Sequence, residues 1–239
     1  LKTSALSAGV HGLTASYGGD VNNLSANTFS APLSLTVSQS STKVELSMVG
    51  SSSITKGSSA TLKANLSGSG GGRLSGSVSF MDGKVKMGQG VPNAGGSVSL
   101  TTSLIPVGLH TITATYGGDA NTSSGTSDPV VLTVNQATTT LLSVSPSAPG
   151  LSDDVTLRAT VSAPGVTNPC GTVTFTGDGL PSPAVVSLAG GIATQTLSSP
   201  LLGGSHLFTA VYSGDSGCSD ASVQYLSGST GTKTVTVAK

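Results

Sequence analysis

The chain reads as all-β: tandem β-sandwiches of about seven antiparallel strands each, arranged end to end. Two observations predict this. The first is an internal repeat. The segment His110-Thr-Ile-Thr-Ala-Thr-Tyr116-Gly-Gly-Asp119-Ala-Asn121 recurs as His11-Gly-Leu-Thr-Ala-Ser-Tyr17-Gly-Gly-Asp20-Val-Asn22, and again as His206-Leu-Phe-Thr-Ala-Val-Tyr212-Ser-Gly-Asp215. Tyr17, Tyr116 and Tyr212 are spaced about 100 residues apart, the size of a small sandwich domain. The second is alternation. His110, Ile112, Ala114 and Tyr116 share one face of the segment, and Thr111, Thr113 and Thr115 the other. Period 2 with a Thr-rich outer face fits a half-buried antiparallel strand. The other copies keep the inward set as His11, Leu13, Ala15, Tyr17 and as His206, Phe208, Ala210, Tyr212. The Gly-Gly-Asp or Ser-Gly-Asp that follows stops the strand, because Gly supplies positive φ and Asp bonds nearby backbone.

Taken in order, residues 1–38 form the C-terminal half of a repeat. Leu1-Lys-Thr-Ser-Ala-Leu-Ser-Ala-Gly9 aligns with Leu100-Thr-Thr-Ser-Leu-Ile-Pro-Val-Gly108, so the chain opens in the strand before the motif. The motif strand and a last strand, Ala31–Val37, follow. Three strands with one apolar face cannot bury it alone. The inward residues of 1–38 are therefore expected to contact something outside the two later repeats. An upstream segment, or strands added by a second molecule, would serve.

Residues 39–136 read as a whole repeat. Thr42–Met48 is its first strand. Ala60, Leu62, Ala64 and Leu66 alternate with Thr61, Lys63 and Asn65 in the second. Gly76–Met81 is the third and ends at Asp82-Gly83, a hairpin signal. Lys84–Gln89 returns, Ser97–Leu104 follows the Gly95-Gly96 turn, and the motif strand precedes Val130–Val134. Residues 137–239 repeat the plan. Val155, Leu157, Ala159 and Val161 match the second strand, and Gly171-Thr-Val-Thr-Phe175 matches Gly76-Ser-Val-Ser-Phe80. Pro181 and Pro183 mark an edge or loop. The face of Ile192–Leu197 is ambiguous, and Lys233–Val237 closes the repeat. Leu35-Thr-Val-Ser-Gln39 and Leu132-Thr-Val-Asn-Gln136 feed almost directly into the next first strands, which implies little bending freedom.

The pattern Gly-Thr-Val-Thr-Phe, then His-x-Ile-Thr-Ala-Thr-Tyr-Gly-Gly-Asp-x-Asn, then Leu-Thr-Val resembles the bacterial Ig-like repeats of large secreted and surface proteins. The resemblance covers the whole chain. Copy three departs from it, with Ser213 in place of a Gly and Gly217 in place of the Asn. The resemblance implies tandem Ig-like β-sandwiches used as stalk, spacer or adhesion modules, with no shared catalytic residues. Antibody-type hallmarks are missing: there is no Trp and no Cys pair on the central strands.

Composition agrees with an extracellular or cell-surface setting. Of 239 residues, ten are basic and ten acidic, charged residues make up 8%, and Gly numbers 33. So few charges argue against an electrostatic nucleic-acid binder. An apolar share of 36% argues against charge-driven disorder. No apolar run is long enough to insert in a membrane. No secretory leader is legible at Leu1, as expected of a mature or excised segment. Near-zero net charge lowers the barrier to self-association.

Within an Ig-like sheet, the third strand and the motif strand are antiparallel neighbours. Cys170 stands just before Gly171–Phe175, and Cys218 just after the strand that ends at Tyr212. The only two cysteines therefore meet at one tip and form a disulfide, which also implies an oxidising compartment. The histidines His11, His110 and His206 lie one per repeat, too far apart to share a metal, and no nucleophile repeats beside them. They read as residues capping the rim of each core. Asp20, Asp119 and Asp215 read as turn formers, since calcium needs several carboxylates and the facing loops, Ile54-Thr-Lys56-Gly57 and Pro106-Val-Gly108, carry none. Asn23-Leu-Ser, Asn65-Leu-Ser and Asn121-Thr-Ser fit a glycosylation pattern too short to carry weight. No isopeptide crosslink is expected, because Lys43 has no counterpart at Thr139 or Thr140.

The expected function is thus an extracellular structural or adhesive segment, the alternative a carbohydrate- or protein-binding module. No catalytic site, metal or cofactor is expected. The partners expected are neighbouring Ig-like repeats of the same or an identical chain, up to a homo-polymer, with no nucleic acid and no defined ligand.

Overall fold

The computed structural model describes residues 2–4, 6–25, 29–68, 72–180, 184–197, 199–215, 218 and 225–238. Leu1, Ala5, Pro181, Pro183 and Gly217, named above, lie outside them. Every regular element among the described residues is a strand, and no helix occurs. Contacts divide the chain into two compact units. One holds Leu1–Gly50, Ala60–Thr101 and Thr111–Val131; the other holds Ser51–Ser59, Thr102–His110 and Leu132–Lys239.

The first segment forms two strands, β1 (Gly9–Leu13) and β2 (Leu33–Val37), paired antiparallel with His11 opposite Leu35. This corrects two expectations. No strand is found among the described residues before Gly9, and the motif strand stops at Leu13, short of Ala15 and Tyr17. Nor is the apolar face covered among the described residues: Leu13 is 40% and Tyr17 46% exposed, and Leu33, opposite Leu13, more so. Alternation records which side chains would face a core. It forms a full strand only where a second sheet packs against that face. The segment still keeps the local bonding of a repeat. Ala15 N–H donates to Ser30 Oγ at 3.0 Å and Ser30 N–H to Ala15 O at 2.8 Å. Ala114 and Ser127 make the same exchange at 3.0 and 2.9 Å.

Residues 39–136 hold β3 (Thr42–Val49), β4 (Ser53–Thr55), β5 (Ala60–Gly68), β6 (Val78–Asp82), β7 (Val85–Gly90), β8 (Ser97–Thr102), β9 (Gly108–Tyr116), β10 (Gly125–Thr126) and β11 (Val130–Asn135). One sheet has the order β3-β5-β8; the other runs β4-β11-β9-β6-β7, with β10 beside β9. Two strands exceed the expected seven. β4 pairs parallel to β11, and β10 antiparallel to β9. At three and two residues they are too short to show any alternation. The alternation in β5 holds: Ala60, Leu62, Ala64 and Leu66 are buried, as are Val78 and Phe80 from β6 and Ala114 and Tyr116 from β9.

Residues 137–239 hold β12 (Thr139–Ser145), β13 (Thr156–Ser162), β14 (Thr172–Thr176), β15 (Ala184–Ser187), β16 (Ile192–Thr196), β17 (Gly204–Tyr212) and β18 (Ser229–Val237). Their sheets are β12-β13-β16 and β15-β14-β17-β18. Leu157, Ala159, Val173, Phe175, Phe208, Ala210 and Tyr212 form the heart of one core. β16 turns Ala193 inward, followed by Leu197 beyond its end. Its face was ambiguous because Gln195 falls on the inward side and Ile192 on the other.

Candidate functional site

Apart from Cys170 and Cys218, the candidate site residues all come from the repeated motif. The histidine closes the turn that enters the motif strand. His11 Nε2 lies 2.7 Å from Ser7 O, His110 Nε2 2.9 Å from Pro106 O, and His206 Nε2 2.7 Å from Leu202 O. In each copy the ring N–H donates to the carbonyl four residues earlier. A glycine two residues before each histidine makes the turn: Gly9, Gly108 and Gly204 sit at φ of 138°, 143° and 141°, which side-chain-bearing residues rarely adopt. His110 and His206 are buried.

His206 has a further partner, Asp178, whose Oδ2 lies 2.8 Å from Nδ1. The adjacent Asp178 carboxylate, then the Leu202 carbonyl, raise the imidazole pKa above its ordinary value. The charged form is favoured in the folded state. The pair therefore stabilises this repeat below the ordinary histidine pKa, and the contribution is lost as pH rises through the raised value. The thermal midpoint of residues 137–239 is expected to fall modestly between about pH 6 and pH 8. Asp178→Asn should flatten that dependence, and added salt should shrink it, because the Asp178 side chain is 70% exposed. A slope unchanged in the variant would assign it to another group.

Tyrosine and aspartate act together. Tyr17 OH donates to Asp20 Oδ2 at 2.6 Å, and Asp20 Oδ1 accepts the N–H groups of Asn22 and Asn23, each at 2.8 Å. The tyrosine hydroxyl first, then the Asn22 N–H, lower this carboxyl to about 2. In the next copy Tyr116 OH donates to Asp119 Oδ2 at 2.8 Å and accepts Gly76 N–H at 3.1 Å. Asp119 Oδ2 also takes Ser75 N–H at 2.9 Å, and Oδ1 takes Asn121 N–H at 3.0 Å. The Ser75 N–H, then the Tyr116 hydroxyl, hold the Asp119 carboxyl well below the usual range. Asp119 thus does more than form a turn: it ties the motif loop to the entrance of β6.

Copy three makes this tie differently. Tyr212 OH donates to Cys170 O at 2.5 Å, and Asp215 Oδ2 is buried without a hydrogen-bond partner among the described residues. Burial, then the Asp215 charge, push the Tyr212 hydroxyl up to about 12. The link is covalent instead. Cys170 and Cys218 are bonded, with Cα atoms 5.4 Å apart. Cys170 precedes Gly171 as Ser75 precedes Gly76, so the two repeats join the same two places by different chemistry. Ser75 escaped the sequence reading because it contributes mainly its backbone N–H, which any residue but proline has. Its position directly before the Gly-x-Val-x-Phe run was the available signal.

Among the described residues no group of three or more His, Cys, Asp or Glu side chains is placed to hold a metal. A cavity of about 330 Å³ beside Asn121 is lined by Ser4, Leu6, Ser7, Ser38 and Ser40 among others, all uncharged.

A family model described as Bacterial Ig-like domain (group 3) matches residues 46–135 and again residues 142–238. Among solved structures the chain is similar to fibronectin(III)-like modules of Clostridium thermocellum CbhA, at 15% identity over 81% of this chain and 93% of that one, with a TM-score of 0.40. The D0-D1 domain of intimin is 17% identical over 82% and 98%, with a TM-score of 0.31. A marsupial T cell receptor is 14% identical over 82% and 73%, with a TM-score of 0.41. No curated protein matches the sequence.

Proposed function

The chain belongs to the family of bacterial Ig-like domains (group 3), and from that premise we propose that it is an extracellular structural or adhesive segment, a stalk, spacer or subunit of a surface assembly. One observation carries the reading. The motif's three histidines and three tyrosines, together with Asp20 and Asp119, hydrogen-bond inside their own repeats, to carbonyls, backbone N–H groups or each other. Side chains used this way hold turns and sheets together and are not left converging on a substrate. The uncharged lining of the cavity beside Asn121 also favours a non-catalytic role. The disulfide suits an oxidising compartment, which supports placement outside the cell.

A second reading, a carbohydrate- or protein-binding module, draws on exposed aromatics: Tyr17 is 46% and Phe29 72% exposed. Aromatic faces are what such sites usually present. Calorimetric titration with glycans and cell-wall fragments separates the two. The structural reading expects no saturable binding stronger than about 100 µM to residues 39–239 of the intact chain. Saturable micromolar binding that maps there would overturn it, and binding that maps to Tyr17 or Phe29 would favour the second reading.

A further inference from the structure

The motif's last residue, Asn121, has a job that neither its turn nor its own repeat requires. Its Oδ1 accepts the backbone N–H of Ala8 at 2.9 Å, across 113 residues of sequence and within the first unit. Ala8 lies in the turn Ser7-Ala8-Gly9 that enters β1, the turn whose Ser7 carbonyl is held by His11 at 2.7 Å. Two motif residues therefore grip one turn. The histidine comes from the copy that owns the turn, and the asparagine from the copy that follows.

Asn121 is itself held in place. Its N–H donates to Asp119 Oδ1 at 3.0 Å, and its carbonyl accepts Ser40 N–H at 2.9 Å. Ser40 O in turn accepts Ser123 N–H at 2.9 Å, and Gln39 Nε2 donates to Asp119 O at 2.9 Å. The loop 119–123 thus binds both the junction residues 39–40 and the entry turn of the segment before them. We propose that Asn121 is a positioning residue, a latch that fixes the preceding repeat through its entry turn, and that the surface it presents fits the Ser-Ala-Gly type of turn at the base of an Ig-like repeat. A side-chain amide suits the task. It offers a neutral carbonyl acceptor next to the Asp119 carboxylate, where a second acid would be repelled. Copy three has Gly217 at the corresponding place, with no side chain to act as acceptor.

Residue-resolved amide exchange on the full chain tests this. In the wild type the Ala8 amide is expected to be protected. In Asn121→Ala its exchange should rise roughly five- to tenfold, the worth of one exposed hydrogen bond. The Ser40 amide, bonded to the Asn121 backbone carbonyl, should change little. The Ala15 amide, bonded to Ser30 within the first segment, should stay as slow as before and so exclude general loosening. An Ala8 amide that is unprotected in the wild type, or equally slow in the variant, would overturn the latch. So would Ala8 and Ala15 accelerating together.

Discussion

Replacing both Cys170 and Cys218 by serine is expected to lower the stability of residues 137–239 by about 4 kcal/mol. The bond closes a loop with a sequence separation of 48. In the chain-entropy model, opening a loop of that size frees the unfolded chain by this amount. Native interactions are not arranged to compensate. In residues 39–136 the same tie is made by Asp119, which takes Ser75 N–H and the Tyr116 hydroxyl. The aspartate of copy three, Asp215, has an oxygen with no hydrogen-bond partner among the described residues, and Tyr212 donates to the Cys170 carbonyl instead. With the disulfide gone, the Tyr212–Cys170 bond and the Ser213–Thr172 bonds remain at that tip among the described residues, and Asp215 Oδ2 makes no bond there to replace the Asp119–Ser75 tie. For a domain of about 100 residues the loss corresponds to a fall in melting temperature on the order of 20 °C. Calorimetry of the full chain with and without reductant checks it. One transition should move down by that order and another, from the cysteine-free residues 39–136, should stay. Coincident traces under the two conditions, with two free thiols confirmed after reduction, would remove the disulfide from the account.

The fold class could be read from side-chain pattern because pattern is what burial selects. Leu62 and Ala64, Leu157 and Ala159, Ile112 and Phe208 are at 0% exposure, each at an inward position of its alternation. The cysteine pairing could be read because antiparallel neighbours place the start of one strand beside the end of the other, as β14 and β17 do with Val173 opposite Tyr212. Other features leave no pattern. β4 and β10 are held by backbone bonds over stretches too short to alternate. The histidine's carbonyl partner, Ser7, Pro106 or Leu202, differs in type from copy to copy because the backbone oxygen is the same in all of them. Tyr17 shows where pattern and burial part. It occupies the position of Tyr116, which is fully buried, yet stands 46% exposed. A strand pattern states a demand for cover; it does not supply the facing sheet.

The glycine that opens the Gly-x-Val-x-Phe run is where a single methyl group should do most harm. In Gly76→Ala the new Cβ would stand 2.0 Å from Gly118 O and 2.8 Å from the Tyr116 ring. Real Cβ contacts do not come that close, so something must move. The entrance to β6 resists, because Gly76 N–H donates to Tyr116 OH at 3.1 Å and Ser77 O accepts Gly117 N–H at 2.9 Å. The loop on the other side resists as well: Gly118 sits at φ 81°, and Asp119 N–H donates to Thr122 O at 2.9 Å. Relief therefore displaces Gly118 or the tyrosine ring, and either motion loosens the Tyr116–Asp119–Ser75 set. Overpacking of about 1–3 kcal/mol, plus one or two hydrogen bonds of about 1 kcal/mol each, gives an expected loss of about 3–4 kcal/mol. Gly171→Ala should cost at least as much. Its Cβ would lie 2.2 Å from Gly214 O and 3.0 Å from the Tyr212 ring, and its φ of 111° adds backbone strain. Gly12→Ala in β1 is the control, since nothing lies within 4 Å of a Cβ there and its backbone is not in the positive-φ region. Urea unfolding of the three variants should place Gly12→Ala within about 0.5 kcal/mol of the parent and both other variants several times further away. Gly76→Ala unfolding at the parent's midpoint would show that the loop yields at no cost, and that the glycine is not required by the packing of Tyr116.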